Sequence, residues 1–196
     1  MEQNDTLPLA GHSIFAAIDI ETSGLDVERC EILDLAIVPL TSDFHISELP
    51  EFTARIRAEH RENAEEQALR INGLNPSDGD DRSKVFNNLV QWLRDNGIGR
   101  IVPVAHNLEF DLRFLRKTFP ELSRLFDHHG RDSMRLAIAV NDIVRRESGE
   151  DRFQSVSLRA LKEALNISGE VSHNAFEDAK DSATVYRKLT EMLTQQ

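Results

Sequence analysis

Two acidic residues directly follow an apolar run near the start of the chain. The apolar residues 14–18 predict a buried strand, and Asp19 and Glu21 come next, before a break at Ser23-Gly24. Side chains alternate faces along a strand, so both carboxylates point the same way, roughly 6–7 Å apart. Two acids on one face repel each other and resist burial unless a cation lies between them. A hard divalent ion fits this pair, whereas a strand emerging into solvent would carry both as ordinary surface acids.

A third acid lies on an apolar helix face in the second half of the chain. Asn107 favours a helix N-terminus, and Asp111 shares one side of the predicted helix with Leu108, Leu112 and Leu115. An acid on an apolar stripe must be paired, exposed by a tilt of the helix, or bound to a metal ion. Asp111 is therefore a candidate metal ligand, with a structural ion pair as the alternative.

A fourth acid opens the last predicted helix. Asp178 lies beside a ridge of small residues, Ala175, Ala179 and Ala183, which permits close packing, and His173 precedes the helix on a loop. A histidine before a helix is ordinarily a surface or capping residue. Five residues ahead of an inward acid, in a chain with three other such acids, it becomes a candidate base.

The four acids and His173 together suit two-metal hydrolysis of a phosphodiester. In that chemistry two divalent ions about 4 Å apart hold the phosphate, one generating hydroxide and the other stabilising the leaving 3′ oxygen. An imidazole with an ordinary pKa of roughly 6.5 suits deprotonation of the attacking water.

The hydrophobic periodicity predicts a mixed α/β sheet covered by helices. The first three predicted strands form an antiparallel meander, and the second is expected to stop at Pro39. The predicted strands cover 14–21, 31–38, part of 51–57 and 101–105. The predicted helices cover 64–71, 83–96, 108–119, 134–146, 156–166 and 175–194, with a helical turn at 121–126 and a loop at 147–154.

Composition favours a cytoplasmic globular protein. The 196 residues suit one domain over 13–196 after a short tail at 1–12. No apolar run approaches the ~20 residues that cross a bilayer, the start is polar, and Cys30 alone cannot form a disulfide framework. The net charge of −11 argues against a basic nucleic-acid binder, although most of the cationic residues are arginines, which suit phosphate contacts.

Three segments resemble the motifs of a known family, the DEDDh 3′→5′ exonucleases of the DnaQ-like group. They occur in the family's order, and the match as a whole spans about residues 14–190. The histidine of the third motif marks the DEDDh branch. The resemblance implies a ribonuclease H-like fold, with a mixed β-sheet flanked by α-helices. The segments are Asp19–Leu25 for D-x-E-T-x-G-L, His106–Asp111 for H-N-x-x-F-D, and His173–Ala179 for H-x-A-x-x-D-A.

The resemblance also implies a role for each catalytic position. Asp19 would bridge two divalent ions, Mg²⁺ or Mn²⁺. Glu21 and Asp178 would complete one ion site, and Asp111 would support the other. His173 would be the general base.

A second set of residues would hold the terminal nucleotide. Thr22, Gly24 and Leu25 would meet it, partly through backbone atoms, with Leu25 as an apolar wedge against the base. Asn107 and Phe110 would line the same pocket. Outside this set, Asp132 resembles the family's strand-end aspartate and is expected to be structural. His106, His128 and His129 are expected to be structural or surface residues.

The implied activity is metal-dependent hydrolysis from the 3′ end of single-stranded or frayed nucleic acid, releasing nucleoside 5′-monophosphates, with DNA favoured. The partner is then a nucleic acid with a free 3′ end, and a polymerase or another protein is a further candidate. One alternative is a ribonuclease T-like enzyme that trims RNA 3′ ends. Another is a non-catalytic module that binds 3′ ends or a polymerase, although binding alone would not need all five catalytic residues.

Overall fold

A five-stranded mixed sheet forms the centre of the protein. The structure is a computed structural model that describes residues 11–169 and 174–194. The strand order is β3-β2-β1-β4-β5, with β1 antiparallel to β2 and parallel to β4, and with β2 antiparallel to β3. The strands are β1 (His12–Thr22), β2 (Ile32–Leu40), β3 (Phe52–Arg55), β4 (Ile98–Ala105) and β5 (Arg131–Asp132).

Six α-helices surround the sheet in the described ranges. Two short 3₁₀ helices, Arg61–Asn63 and Pro120–Leu122, accompany them, and the second replaces the longer helical turn predicted at 121–126. The α-helices are α1 (Glu66–Asn72), α2 (Arg82–Asp95), α3 (Leu108–Thr118), α4 (Ser133–Ser148), α5 (Leu158–Ala164) and α6 (Ala175–Thr194).

The two faces of the sheet bury different side chains. On one face Ile18, Leu35 and other large aliphatic residues pack against α2 and α3. On the other face small residues such as Ala17 and Ala36 pack against the alanine ridge of α6. This close approach brings the first turn of α6 near the end of β1. Helices α4 and α5 pack against the side of α6 that faces away from the sheet. The mixed α/β sheet flanked by helices is confirmed, as is the antiparallel arrangement of the first three strands.

The predicted stop at Pro39 is wrong, because β2 runs through it to Leu40. The Pro39 carbonyl accepts a hydrogen bond from the Ser47 backbone N–H, on the side of β2 away from β1. A backbone N–H at position 39 would point to that same side. There it would have no partner in β3, because the pairing of β2 with β3 stops at Ile37. The helix predicted to end at 146 also runs on to Ser148, where Gly149 takes the left-handed conformation at φ 82° and ends it.

Candidate active site

Strand β1 delivers the first two acids to the α6 side of the sheet. Asp19 and Glu21 alternate with Ile18 and Ile20, whose side chains enter the core beneath α2 and α3. The register between β1 and β2 shifts after Glu21, so the strand bulges at the point where its acids end. Bulges of this kind redirect the adjacent side chain. Both acids therefore lie on one face of β1, as predicted.

The first turn of α6 adds a third carboxylate. Asp178 is 5% exposed, and oxygen atoms of Asp19, Glu21 and Asp178 all lie within 4.8 Å of one another. Asn174 fixes this turn, because its side-chain oxygen accepts the backbone N–H groups of Phe176 at 3.1 Å and of residue 177 at 3.3 Å. Asp19, Glu21 and Asp178 are called the carboxylate cluster below.

Asp111 lies next to this cluster, on α3. It is 4% exposed on the side of α3 that also buries Leu108 and Leu112. The backbone N–H of Ile20 donates to its carboxylate, and its charge acts on Asp19. The sequence-predicted acids therefore meet at one end of β1, three of them sharing a set of close oxygen atoms and the fourth beside them.

The N-terminus of α3 differs from the prediction. Asn107 occupies the cap position at φ 67° but its side chain makes no capping hydrogen bond. Instead, the Asp132 carboxylate accepts the backbone N–H groups of Asn107 and Leu108, and it also caps α4 through Met134 and Arg135. One acid at the end of β5 thus anchors two helices, and it does so outside the carboxylate cluster.

The clustered acids perturb one another's protonation. Burial and the nearby charge of Asp111 raise the pKa of Asp19 well above its ordinary value. Burial and the charges of Asp178 and Asp34 raise the pKa of Glu21 from 4.5 to about 7. Burial also raises the pKa of Asp111, against the opposing effect of its backbone hydrogen bonds. These acids resist ionising together unless a cation joins them.

A further acid, which is buried, was missed by the sequence reasoning. Asp34 lies directly opposite Glu21 in the β1–β2 register and is 7% exposed. The Arg55 Nε lies 3.3 Å from its Oδ1, and the backbone N–H of Ala175 donates to it. Asp34 therefore joins β2 to β3 and to the first residue of α6. The signal lay in the pairing of β1 with β2, because the sequence of β2 alone shows only one acid in an apolar run.

The loop after β1 carries the residues predicted to meet a nucleotide. The Thr22 hydroxyl donates to the Gly24 carbonyl at 2.7 Å, and a side chain at Gly24 would come within 2.5 Å of the Glu65 side chain. The loop is therefore closely packed, yet Leu25 projects from it with 77% of its surface exposed. On the β4 side of β1, Asn107 is exposed and Phe110 is partly buried against Phe114.

The histidines divide into separate environments. His173 lies outside the described residues. His106 is partly buried, with its Nδ1 2.9 Å from the Ser133 Oγ. His128 and His129 are exposed at the surface beside Asp127.

The donor set fits hard divalent ions. The three carboxylates of the cluster offer oxygen atoms within 4.8 Å of one another, from two elements that close packing holds together. Oxygen donors of this kind are the ligands that Mg²⁺ and Mn²⁺ prefer. A divalent cation among them would also offset the repulsion that raises the pKa values of Asp19 and Glu21.

A mixed sheet in this strand order, flanked by helices and carrying carboxylates at the end of its central strand, has the ribonuclease H-like architecture of nucleic-acid hydrolases. The RNase_T exonuclease family model matches residues 16–186, most of the chain. The protein belongs to this exonuclease family, within the DnaQ-like DEDD exonucleases.

Several named proteins are similar in sequence. Ribonuclease T of Citrobacter koseri is 30% identical over 108 residues, which cover 50% of each protein. Ribonuclease T of Salmonella typhimurium is 24% identical over 183 residues, covering 88% of this chain and 82% of that protein. A PolC-type DNA polymerase III of Thermotoga maritima is 25% identical over 184 residues, which are 93% of this chain but 12% of the polymerase.

Solved structures share the fold at lower identity. Exonuclease I of Methylocaldum szegediense superposes with a TM-score of 0.72 at 16% identity, covering 94% of this chain and 42% of that one. E. coli Exonuclease I in complex with a dT13 oligonucleotide gives a TM-score of 0.70 at 16% identity, covering 94% and 43%. This chain thus spans less than half the length of those exonucleases, and half of the first ribonuclease T.

In the described ranges, none of the helices combines the length and the apolar composition needed to cross a membrane.

Proposed function

We propose that the protein is a metal-dependent 3′→5′ exonuclease acting on single-stranded or frayed nucleic acid. The observation that carries this proposal is the convergence of Asp19, Glu21 and Asp178 at one end of β1, with Asp111 beside them. Family membership makes nucleic acid the expected substrate class. Buried acids that repel one another lower stability, and a catalytic metal site gives a reason for that arrangement.

The acids of the proposed site would hold two divalent ions, Mg²⁺ or Mn²⁺. Asp19 is central in this assignment, since the charges of the other three acids all act on it. Bound there, the ions would withdraw charge from the phosphodiester and make an attacking water easier to deprotonate. The backbone N–H of Ile20 orients Asp111, and the Asn174 cap orients the turn that carries Asp178.

His173 is proposed to accept the proton of the attacking water. The proposal rests on its place five residues before Asp178 in a motif of the family, and on the general suitability of an imidazole as a base near neutral pH. The scissile bond joins phosphorus to the 3′ oxygen of the preceding nucleotide. Its cleavage gives a nucleoside 5′-monophosphate and a strand with a new 3′ hydroxyl.

The terminal nucleotide is proposed to lie between the loop after β1 and the start of α3. Leu25 is a suitable wedge because its exposed side chain lies on a loop fixed by Thr22 and Gly24. Asn107 and Phe110 would form the opposite wall of this pocket, on the β4 side.

The sugar preference of the site is a separate proposal. We favour DNA, and the solved complex of an Exonuclease I with dT13 supports a single-stranded DNA substrate for this fold. The ribonuclease T relatives support the second candidate, trimming of RNA 3′ ends. The PolC-type relative supports a DNA polymerase as the protein partner of a proofreading form.

The experiment uses 5′-labelled single-stranded DNA and RNA of one sequence, each incubated with Mg²⁺ or Mn²⁺. Wild type should give a ladder that shortens from the 3′ end, and the faster substrate identifies the sugar preference. Asp19→Asn and His173→Ala should abolish the ladder, whereas Glu109→Gln, an exposed acid on α3, should leave it intact. End binding without any ladder, from folded protein with either metal, would refute the enzyme and favour a binding module.

A further inference from the structure

An open groove lies beside the carboxylate cluster, along the edge strand β3. Helix α6 packs on β1, β2 and β4, which leaves the same face of β3 uncovered. The groove has a volume of about 320 Å³, on the scale of small ligand sites. Its walls come from β3, from Asp34 and from the first residues at the start of α6, and are lined by Glu51, Thr53, Arg55, Asn174 and Phe176.

Arg55 connects this groove to the cluster. It stands opposite Asp34, which in turn stands opposite Glu21, so the three side chains lie on one face of adjacent strands. Its Nε contacts Asp34 while 46% of the side chain stays exposed. An arginine anchored through one nitrogen keeps other guanidinium donors available for a phosphate. In a protein with a net charge of −11, this cation lies where a polyanionic strand would leave the cluster.

Phe176 supplies an aromatic wall to the same groove. It lies in the first turn of α6, two residues before Asp178, and its ring is partly exposed. The Lys180 Nζ lies 4.8 Å from the ring centroid, which adds a second cation close to the groove. Aromatic rings beside basic groups are the usual platform for an unpaired base.

The position of the groove indicates which nucleotide it would take. The sheet order places β3 on one side of β1 and β4 on the other. Asn107 and Phe110, assigned to the terminal nucleotide under the proposed function, follow β4. A strand that crosses the cluster from that pocket therefore reaches the β3 side with its penultimate nucleotide.

We propose that this groove is a subsite for the penultimate nucleotide of the substrate, with Arg55 binding the phosphate on its 5′ side and the Phe176 ring stacking on its base. The inference rests on the proposed function, because it assigns the terminal nucleotide to the other side of β1. Glu51 also lines the groove, and its negative charge would repel a phosphate there. Glu51→Gln should therefore raise kcat/KM for oligonucleotides.

The test compares three substrates that fill the site to different extents. Thymidine 5′-(4-nitrophenyl) phosphate carries the terminal nucleotide with an aryl leaving group in place of the penultimate nucleoside, TpT supplies that nucleoside, and pTpT adds its 5′ phosphate. For wild type, kcat/KM should be about tenfold higher for pTpT than for TpT. Arg55→Ala should reduce that ratio to about 1. Phe176→Ala should lower kcat/KM for both dinucleotides about tenfold relative to kcat/KM for the nitrophenyl ester.

Matched variants separate recognition from structural damage. Arg55→Lys should recover part of the phosphate preference, and Phe176→Leu should keep the packing but lose the stacking. Arg57→Ala, an exposed neighbour outside the groove, should leave the pTpT to TpT ratio unchanged. An Arg55→Ala variant that keeps the ratio, or that slows all three substrates equally, would overturn the subsite.

A binding readout keeps the two proposals distinguishable. Anisotropy of a 5′-fluorescein oligothymidylate, measured on Asp19→Asn protein, needs no turnover. If Arg55→Ala is introduced into this Asp19→Asn protein, a rise of about tenfold in Kd supports the subsite, and an unchanged Kd overturns it. Wild type that binds the strand but hydrolyses none of the three substrates would refute the proposed function while the binding comparison still decides the subsite.

Discussion

Replacing Glu21 with glutamine should stabilise the metal-free protein at neutral and alkaline pH. Glu21 is partly exposed, and its pKa rises from 4.5 to about 7 on folding because of burial and the nearby charges of Asp178 and Asp34. The folded protein therefore binds a proton that the unfolded chain has released between these two values, so the contribution of Glu21 to stability falls as the pH rises through that window. Glutamine mimics the protonated form at every pH.

The expected size follows from the same pKa change. The difference between 4.5 and about 7 corresponds to a limit of about 3 kcal/mol, and screening by solvent lowers this to about 1–2 kcal/mol. For a chain of this length that equals a difference in Tm of roughly 2–8 °C. At pH 4 the two proteins should be nearly equal, at pH 5.5 about two fifths of the difference should be present, and by pH 8 the variant should have almost its full advantage in stability.

The assay is urea unfolding in EDTA from pH 4 to 8, followed by circular dichroism, for wild type and Glu21→Gln. Burial lowers the pKa of His106, so this residue makes stability rise with pH. The effect is present in both proteins and cancels when their stabilities are compared. Saturating Mg²⁺ or Mn²⁺ should stabilise wild type by about 2–3 kcal/mol, at ~100 times Kd, and the variant by less. A stability difference that does not change with pH, or equal stabilisation of both proteins by metal, would refute this electrostatic reasoning.

Three further substitutions test the elements that position the cluster. Asp132→Ala should lower the unfolding free energy by about 2 kcal/mol in urea, because it uncaps two helices, while Asp132→Asn should keep most of that stability. Asp181→Ala removes the acid that pairs with the buried Lys162 and should cost about 3 kcal/mol in the same assay; a loss below 1 kcal/mol would contradict the importance of this pair. Gly24→Ala places a methyl group 2.5 Å from Glu65 and should lower Tm by several degrees, whereas an unchanged Tm would show that the loop after β1 yields easily.

The acids of β1 and α3 could be predicted from the sequence because local periodicity decides them. Alternation along β1 places Asp19 and Glu21 on one face, and helical spacing places Asp111 among leucines while Glu109 stays exposed. Such patterns depend only on the conformation of one element. The order of the three motifs then indicated the family, which the family match confirms.

Features that depend on pairing between elements could not be predicted. Asp34 belongs to the site region because the β1–β2 register sets it opposite Glu21, and that register is a tertiary property. The capping of α3 by Asp132 likewise joins residues 24 positions apart, so the local preference of Asn107 gave the right helix start with the wrong capping group. The strand through Pro39 persists because the neighbouring strand ends before it.

The central claim is that the carboxylate cluster holds divalent ions that contact the scissile phosphate. The most direct measurement is single-turnover hydrolysis of a 3′-terminal linkage in which sulfur replaces one non-bridging oxygen. Sulfur is a poor ligand for Mg²⁺ and a better one for Mn²⁺. We expect one diastereomer to be cleaved far more slowly than the phosphate in Mg²⁺ and to recover in Mn²⁺, with no cleavage by Asp19→Asn in either metal. Equal sulfur effects in the two metals, or cleavage that persists in EDTA, would contradict a metal site at the end of β1.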